Sequence, residues 1–580
     1  MTPMTLHSTR SRVLAAILFS IVAIFVLRLF YLQVIQHNYY AGLANEEQLK
    51  KERIPATRGI IYARDGDSIP KPLAMNETVY TVFADPKVIE EPNKVVDVMK
   101  RIAGGNVRAG FEDLLKKTDS RYQILATKVT RLQAEKIKAE HLYGIGFQAM
   151  SQRYYPEGGL AAQVLGFVDT EGVGRYGIES YMNEQLTGVD GRLETVTDVS
   201  DVPLTIGDRN IREPAQNGKN IVLSIDRNIQ SYTEKVLLDR VSKSGATNAS
   251  VVVMNPNNGQ VMAMANLPTY NPSEYFKVSD IAVFNNDAIS RPYEPGSVIK
   301  TFTLATGLDK NVITPNSTYV NNDSILIDGW RIENYTKGNI GTISIKTALQ
   351  WSLNTGFVTI AQRLGDGTNI NRTAIDTMYK YFHDRLGVGR MTGIELAGEA
   401  AGSLAAPGTG EGNAVKYANV SFGQGMNATA LQVAAGFSAI VNNGTYYKPT
   451  VISGEMVDGK YKQETKPAVV AENVVSSLTA KEVRSMLEES RQSVYGNLDP
   501  AGYAIGGKTG TAQVAIPGGY SPTETIGSYL GYGGAEKPEY VIMVAVSGKD
   551  MAMAGNTDAM PIFTDISNWL IDYLKIAPRG

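Results

Sequence analysis

The 580-residue sequence contains no cysteine, which removes thiolate nucleophiles, disulfides and thiolate-bound metals together. Histidine is nearly as scarce. His7, His37, His141 and His383 stand singly, with no partner at metal-ligand spacing, so no metal site is expected. Neither sign of charge dominates: 56 basic and 58 acidic residues leave a net charge of -2 and an isoelectric point near 6.2. A basic face for a polyanion is missing, and nucleic acid is set aside as a partner. Internal repeats and low-complexity tracts are also absent. With 43% hydrophobic and 20% charged residues, the chain reads as globular nearly throughout. Its length calls for two or three domains.

One hydrophobic run is long. Residues 13–27 carry no charge, and the apolar character resumes after Arg28 as far as Ile35, so residues 13–35 are expected to cross a bilayer as one helix. Arg10 and Arg12 lie in a tail, residues 1–12, that has no acidic residue. They favour an inside N-terminus, against Lys50, Lys51 and Arg53 on the far side. A cleaved signal peptide would need small residues after the apolar core. Leu29, Phe30, Tyr31 and Leu32 stand there instead, and an uncleaved anchor is preferred. Arg28 is about 10 Å of helix rise from Ile35, within reach of the outer interface; pairing with a polytopic membrane partner is the alternative.

Residues 36–218 mix strand-like runs, such as 78–83, with helix-like charged stretches at 128–140, and read as an extended mixed pedestal. Asn217-Gly218 and the apolar run 221–225 mark a new start. Asp226 is placed to cap a helix containing Ile229, Val236 and Leu237. A second domain, 219–580, begins there. Residues 250–254 and 260–265, separated by a turn, form a hairpin by pattern. The chain ends in strand-like 540–546 and helix-like 561–574. Strands at both ends with helices between them predict one α/β or α+β domain whose termini meet in a single sheet.

Three short motifs carry the chemistry. In Glu294-Pro295-Gly296-Ser297-Val298-Ile299-Lys300 a helix is expected to open at Ser297. Ser297 and Lys300, three apart, then share a face, and the amine can take the hydroxyl proton. Alone, the pair could be an N-capping serine beside an exposed lysine. Ser352-Leu353-Asn354 lies between helix-like 345–351 and 356–364, where a short loop can aim both side chains into a cleft, although Ser and Asn also favour helix ends for ordinary capping. Gly506-Gly507-Lys508-Thr509-Gly510-Thr511 follows a short strand at 503–505. Its small residues let an extended peptide approach a strand edge, with Lys508 and Thr509 receiving a terminal carboxylate. Residues 502–509 also match a phosphate-loop pattern. That pattern needs a buried strand before it and a helix after it, yet Leu498-Asp499-Pro500 precedes and Gly510 follows.

The order Ser-x-x-Lys, Ser-x-Asn, Lys-Thr-Gly is that of penicillin-binding proteins and class A β-lactamases. The sequence resembles the class B penicillin-binding proteins, most closely the septal type, over nearly its whole length. Arg58-Gly59-Ile60-Ile61, Arg64-Asp65-Gly66, Arg153-Tyr154-Tyr155-Pro156 and Gly174-Arg175-Tyr176-Gly177-Ile178-Glu179 are similar to that family's pedestal motifs. Tyr293-Glu294-Pro295-Gly296-Ser297, Gly423-Gln424-Gly425 and Thr429-Ala430-Leu431-Gln432 are similar to its catalytic-domain motifs. Ala430 stands where the family usually has Pro, and Ser528-Tyr529-Leu530-Gly531-Tyr532 is slightly unusual.

The resemblance implies a transpeptidase fold with helices around a central, mainly antiparallel sheet. It implies attack of Ser297 on a D-alanyl-D-alanine bond and transfer of the acyl group to an amine of a neighbouring stem peptide, with no cofactor. Lys300 is the only candidate base within a helical turn of Ser297, and its free pKa of about 10.4 must fall for the work. Burial and the second cation, Lys508, would lower it. By resemblance Ser352 relays the proton, Asn354 holds the substrate amide, Thr509, Gly510 and Thr511 line the substrate, and the backbone N–H groups of Ser297 and Thr511 form the oxyanion hole. The implied partners are stem peptides of peptidoglycan, β-lactams, the cell membrane, a polytopic lipid-II glycosyltransferase and other division proteins. The implied location is a single-pass membrane protein with an extracytoplasmic catalytic domain. Alternatives are an elongation-type enzyme with the same chemistry, a D,D-carboxypeptidase or β-lactamase-like hydrolase, and an inactive β-lactam sensor.

Overall fold

A computed structural model describes residues 6–40, 49–196, 211–463, 466–516 and 518–579. Residues 1–5 of the expected tail, and 41–48 and 197–210 of the expected pedestal, lie outside the described residues. The chain divides into two compact units, Met1–Arg58 with Thr187–Gly218, and Gly59–Leu186 with Lys219–Gly580.

In the first unit the apolar run forms a helix, Leu6–Phe30, that continues as a wider π-turn over Tyr31–Ile35. The stretch Arg10–Ile35 is long and apolar enough to cross a membrane. The same unit holds a three-stranded sheet in the order Leu49–Ile54, Gly191–Val196, Ile211–Glu213.

The larger unit is built on two sheets. One is an antiparallel five-stranded sheet in the order Val261–Leu267, Asn248–Met254, Pro538–Ser547, Gly519–Gly534, Ala504–Ile516. The expected hairpin is present, with Val251 opposite Ala265, and the two ends of the domain meet where Asn248 opposes Ser547. Within Asn248–Met254, Ala249 to Met254 are all buried because both faces of the strand are covered. Side chains alternate across a strand: Val252 and Met254 enter a core with Phe302 and Phe437, and Val251 and Val253 enter another with Ile229 and Phe563. The helix Ala430–Val441 is buried at all twelve positions. Ala430 occupies its first turn without penalty, because Thr429 and Gln432 form a capping box.

The second sheet runs Lys460–Gln463, Ile452–Val457, Ile221–Asp226, Ile61–Asp65, Ser68–Ala84, Gln123–Thr130, with Ile145–Tyr154 also paired to Ser68–Ala84. Asp226 caps the helix Arg227–Ser244 as expected, accepting from the backbone N–H groups of Asn228 and Ile229. Its carboxylate also accepts from Gly66 N–H at 2.8 Å and from Tyr573 O–H at 2.9 Å. The Arg64-Asp65-Gly66 motif is thereby tied to the C-terminal helix Met560–Tyr573. Two other family-like segments meet in a buried ion pair: Arg153 Nε donates to Glu179 Oε1 at 2.7 Å, and Arg153 Nη1 donates to Gly59 O at 2.8 Å and Asn76 Oδ1 at 3.1 Å.

One expected helix starts late. Lys128 belongs to the strand Gln123–Thr130, and the helix is Arg131–Lys138. Thr130 and Gln133 form a capping box there, and a cap needs extended backbone at the cap residue, which holds the segment before it in the sheet.

Candidate active site

The segment before Ser297 is pinned from one side. Tyr293 N–H donates to Ala428 O at 3.1 Å, Gly296 N–H to Gly423 O at 3.0 Å, and Gly425 N–H to Glu294 Oε1 at 2.8 Å. The contact is close enough to require glycine: a Cβ on Gly423, whose φ is +94°, would sit 1.9 Å from Gly296 O. Ser297 does not open an α-helix. Gly296–Ile299 is a tighter 3-10 turn, and the α-helix is Lys300–Asp309. Gly296, the first residue of that turn, has a left-handed φ of +66°. Val298 and Ile299 are buried, while Ser297 remains partly accessible.

Lys300 is 0% exposed. Its Nζ lies 2.6 Å from Ser352 O, 3.1 Å from Ser352 Oγ and 2.8 Å from Asn354 Oδ1. Among the described residues no hydrogen bond joins it to Ser297 Oγ, so the amine is docked on the second motif while Ser297 stands one turn away. In the second motif Ser352 and Leu353 lie in the loop after the helix Ile345–Gln350, and Asn354 is the first residue of the helix Asn354–Arg363. Ser352 takes a left-handed φ of +56° there, and its carbonyl is brought to Lys300. Asn354 turns its amide nitrogen the other way, donating to Glu333 O at 2.9 Å.

The third motif is part of a long strand. The expected short strand at 503–505 is, from Ala504 on, the start of Ala504–Ile516, which includes Lys508, Thr509, Gly510 and Thr511 and is an edge of the five-stranded sheet. No helix follows Thr509, which excludes the phosphate-loop reading. Gly510 lets the strand pass against the Ser297 segment, since a Cβ there would meet Ser528 Oγ at 2.2 Å and Pro295 O at 2.9 Å. Ser528 Oγ donates to Pro295 O at 3.1 Å, and Thr511 Oγ1 accepts from Gly555 N–H at 3.3 Å. Lys508 is 4% exposed. Its Nζ donates to Thr509 O at 3.0 Å and Thr509 Oγ1 at 3.2 Å.

Burial, joined by the charge of Lys508, holds the Lys300 amine well below the usual lysine value. Burial alone brings Lys508 down to about 7. A neutral Lys300 amine has two N–H donors for Ser352 O and Asn354 Oδ1 and a lone pair that can accept from the Ser352 hydroxyl. Such a group can take a proton and pass it to Ser352.

The motifs gave no notice of Glu294 as a site residue. Its Oε1 also accepts from Tyr520 O–H at 3.2 Å, while Oε2 is buried without a hydrogen-bond partner among the described residues. The carbonyl of Glu333 carries no side-chain signature at all.

Residues 249–568 match the family model described as penicillin binding protein transpeptidase domain, and residues 53–223 match the penicillin-binding protein dimerisation domain. The chain is 30% identical to stage V sporulation protein D of Bacillus subtilis, over 99% of this chain and 87% of that one. It is 28% identical to the peptidoglycan D,D-transpeptidase FtsI of Escherichia coli, over 95% of this chain and 89% of that one. The crystal structure of penicillin binding protein 2X from Streptococcus thermophilus superposes with a TM-score of 0.73 at 24% identity, over 91% of this chain and 80% of that one. The chain belongs to the class B penicillin-binding proteins, which are serine-type peptidoglycan D,D-transpeptidases.

Proposed function

We propose that the chain cross-links peptidoglycan stem peptides through an acyl-enzyme on Ser297, using Lys300 as the base and the strand Ala504–Ile516 as the cradle for the donor peptide. The observation that carries this reading is a buried amine of lowered basicity, Lys300, hydrogen-bonded to Ser352 and Asn354 one turn from a partly accessible serine. Ser297 Oγ attacks the carbonyl between the two D-alanines and gives its proton to Lys300. The backbone N–H groups of Ser297 and Thr511 receive the oxyanion, for which such donors contribute about 3–4 kcal/mol each. The proton returns through Ser352 to the leaving nitrogen and D-alanine departs. An acceptor amine then attacks the ester and restores Ser297. Lys508 and Thr509 take the donor carboxylate, Thr509, Gly510 and Thr511 line its backbone, and Asn354 holds the amide. β-Lactams acylate the same serine.

The domain plan that goes with this function is a cytoplasmic tail over 1–12, an anchor over 13–35, a pedestal over 36–218 and an extracytoplasmic transpeptidase domain over 219–580. The matched family segments and the apolar helix support it. A lipid-II glycosyltransferase and other division proteins would meet the anchor and pedestal. Septal work is preferred over elongation, as the resemblance implies, and fluorescence localisation at the division plane or along the side wall separates the two.

To separate transfer from hydrolysis, a D-alanyl-D-alanine donor is incubated with the full chain in detergent, with and without an acceptor stem. Cross-linked product is expected to exceed the free acid; D-alanine release with the free acid alone would establish a carboxypeptidase instead, and no release would establish a sensor.

Lys508 also sets a pH profile. Lys508 in the free site sheds its proton near 7, and a bound carboxylate raises that value. Capture of a carboxylate ligand is therefore full below pH 7 and weakens above it, by up to about tenfold per pH unit. Lys508→Arg, whose guanidinium keeps its charge, is expected to remove this alkaline weakening. The check is the dissociation constant of the pre-acylation complex between about pH 5.5 and 9.

A further inference from the structure

The Asn354 amide has two chemically different ends, and the protein uses both. Its oxygen faces Lys300 Nζ at 2.8 Å and its nitrogen donates to Glu333 O at 2.9 Å. Turning the amide over would set an NH2 group against the amine and an oxygen against a carbonyl, so the Glu333 carbonyl dictates which end Lys300 sees.

That carbonyl is held by a buried polar cluster. Asn334, which follows Glu333, is 2% exposed. Its Oδ1 accepts from Thr355 N–H at 3.0 Å and lies 3.1 Å from Thr355 Oγ1, and its Nδ2 donates to Asn321 Oδ1 at 3.1 Å and Asp323 Oδ1 at 3.2 Å. Thr355 Oγ1 is also 2.8 Å from Asn321 Oδ1 and 3.1 Å from Tyr319 Oη. Asn321 in turn donates to Asn339 O at 2.6 Å. Thr355 is thus the hub between the strand Trp330–Glu333, which pairs with Ser324–Ile327, and the helix Asn354–Arg363. Buried polar groups are costly unless all are satisfied, and a closed cluster admits few arrangements. Resting on the reading of Lys300 as the base, we propose that Thr355, with Asn334 and Asn321, is a positioning residue for acylation: it holds the Glu333 carbonyl and so fixes the direction of the Asn354 amide against the Lys300 amine, without touching substrate.

Thr355→Val keeps the shape and deletes the hydroxyl, and Thr355→Ser keeps the hydroxyl and deletes a methyl. The acylation rate constant and the pre-acylation dissociation constant are read separately by stopped flow with a chromogenic cephalosporin, on the full chain in detergent. Thr355→Val is expected to lower the rate constant about 10- to 100-fold with the dissociation constant unchanged, and Thr355→Ser to restore it. An unchanged rate constant in Thr355→Val, or an equal loss in Thr355→Ser, overturns the proposal. Should Thr355→Val not fold, Asn334→Ser, which withdraws the acceptor from Thr355 N–H, must reproduce the selective loss of rate; if it leaves the rate constant unchanged the proposal fails. Covalent labelling of Ser297→Ala would instead sink the reading of the site, whatever Thr355 does.

Discussion

Lys300→Ala is expected to slow acylation by a fluorescent penicillin about 10²- to 10⁴-fold, the usual worth of a positioned general base, and Ser297→Ala to leave no covalent label. The chain has no cysteine and none of the three motifs contains a histidine, so neither a thiolate nor a motif imidazole can take over either task. The Lys300 amine is buried against Ser352 and Asn354 at the cost of its own solvation, so replacing it by an apolar group of similar volume should spare the fold. Lys300→Met therefore tests chemistry apart from packing: a protein with a cooperative thermal transition that takes up label at a rate near that of the parent would refute the assignment. Gel fluorescence against time gives the rate, and a melting curve gives the control.

The largest stability effect is expected far from that chemistry. Glu179→Ala leaves Arg153 as a buried charge without its carboxylate, and breaking such a pair costs about 3–5 kcal/mol. The side chains are 3% and 0% exposed, so water cannot take the place of the missing partner. Arg153 also holds Gly59 O and Asn76 Oδ1, and those bonds cannot neutralise it. Replacing both members, Arg153→Met with Glu179→Leu, should recover much of the loss, because two apolar groups need no desolvation offset. Denaturant midpoints of the single and double variants decide between these outcomes; a single variant as stable as the parent would show that the pair contributes nothing.

Features governed by local rules were legible. Asp226 as a cap, the 250–265 hairpin and the last helix follow from side-chain chemistry and period. Features governed by distant contacts were not. Gly506, Gly507 and Gly510 discourage a strand by propensity, yet Ala504–Ile516 is one because Gly519–Gly534 pairs along it. The helix expected to open at Ser297 begins at Lys300 instead, and nothing local announces that Gly296 is locked against Gly423. Motif order pointed to Lys300, Ser352, Asn354 and Lys508 but carries no distances. The Asn321–Asn334–Thr355 cluster left no trace, because its members share no spacing rule and meet only through tertiary packing.

The pairing of Asn248–Met254 with Pro538–Ser547 has a bearing on biosynthesis. A ribosome delivers the first of these strands long before the second, and their partnership waits until Pro538–Ser547 has been made. Nascent chains that stop short would hold every catalytic motif yet lack the middle of the sheet, so the enzyme should switch on only when finished, with its early strands needing protection from aggregation until then.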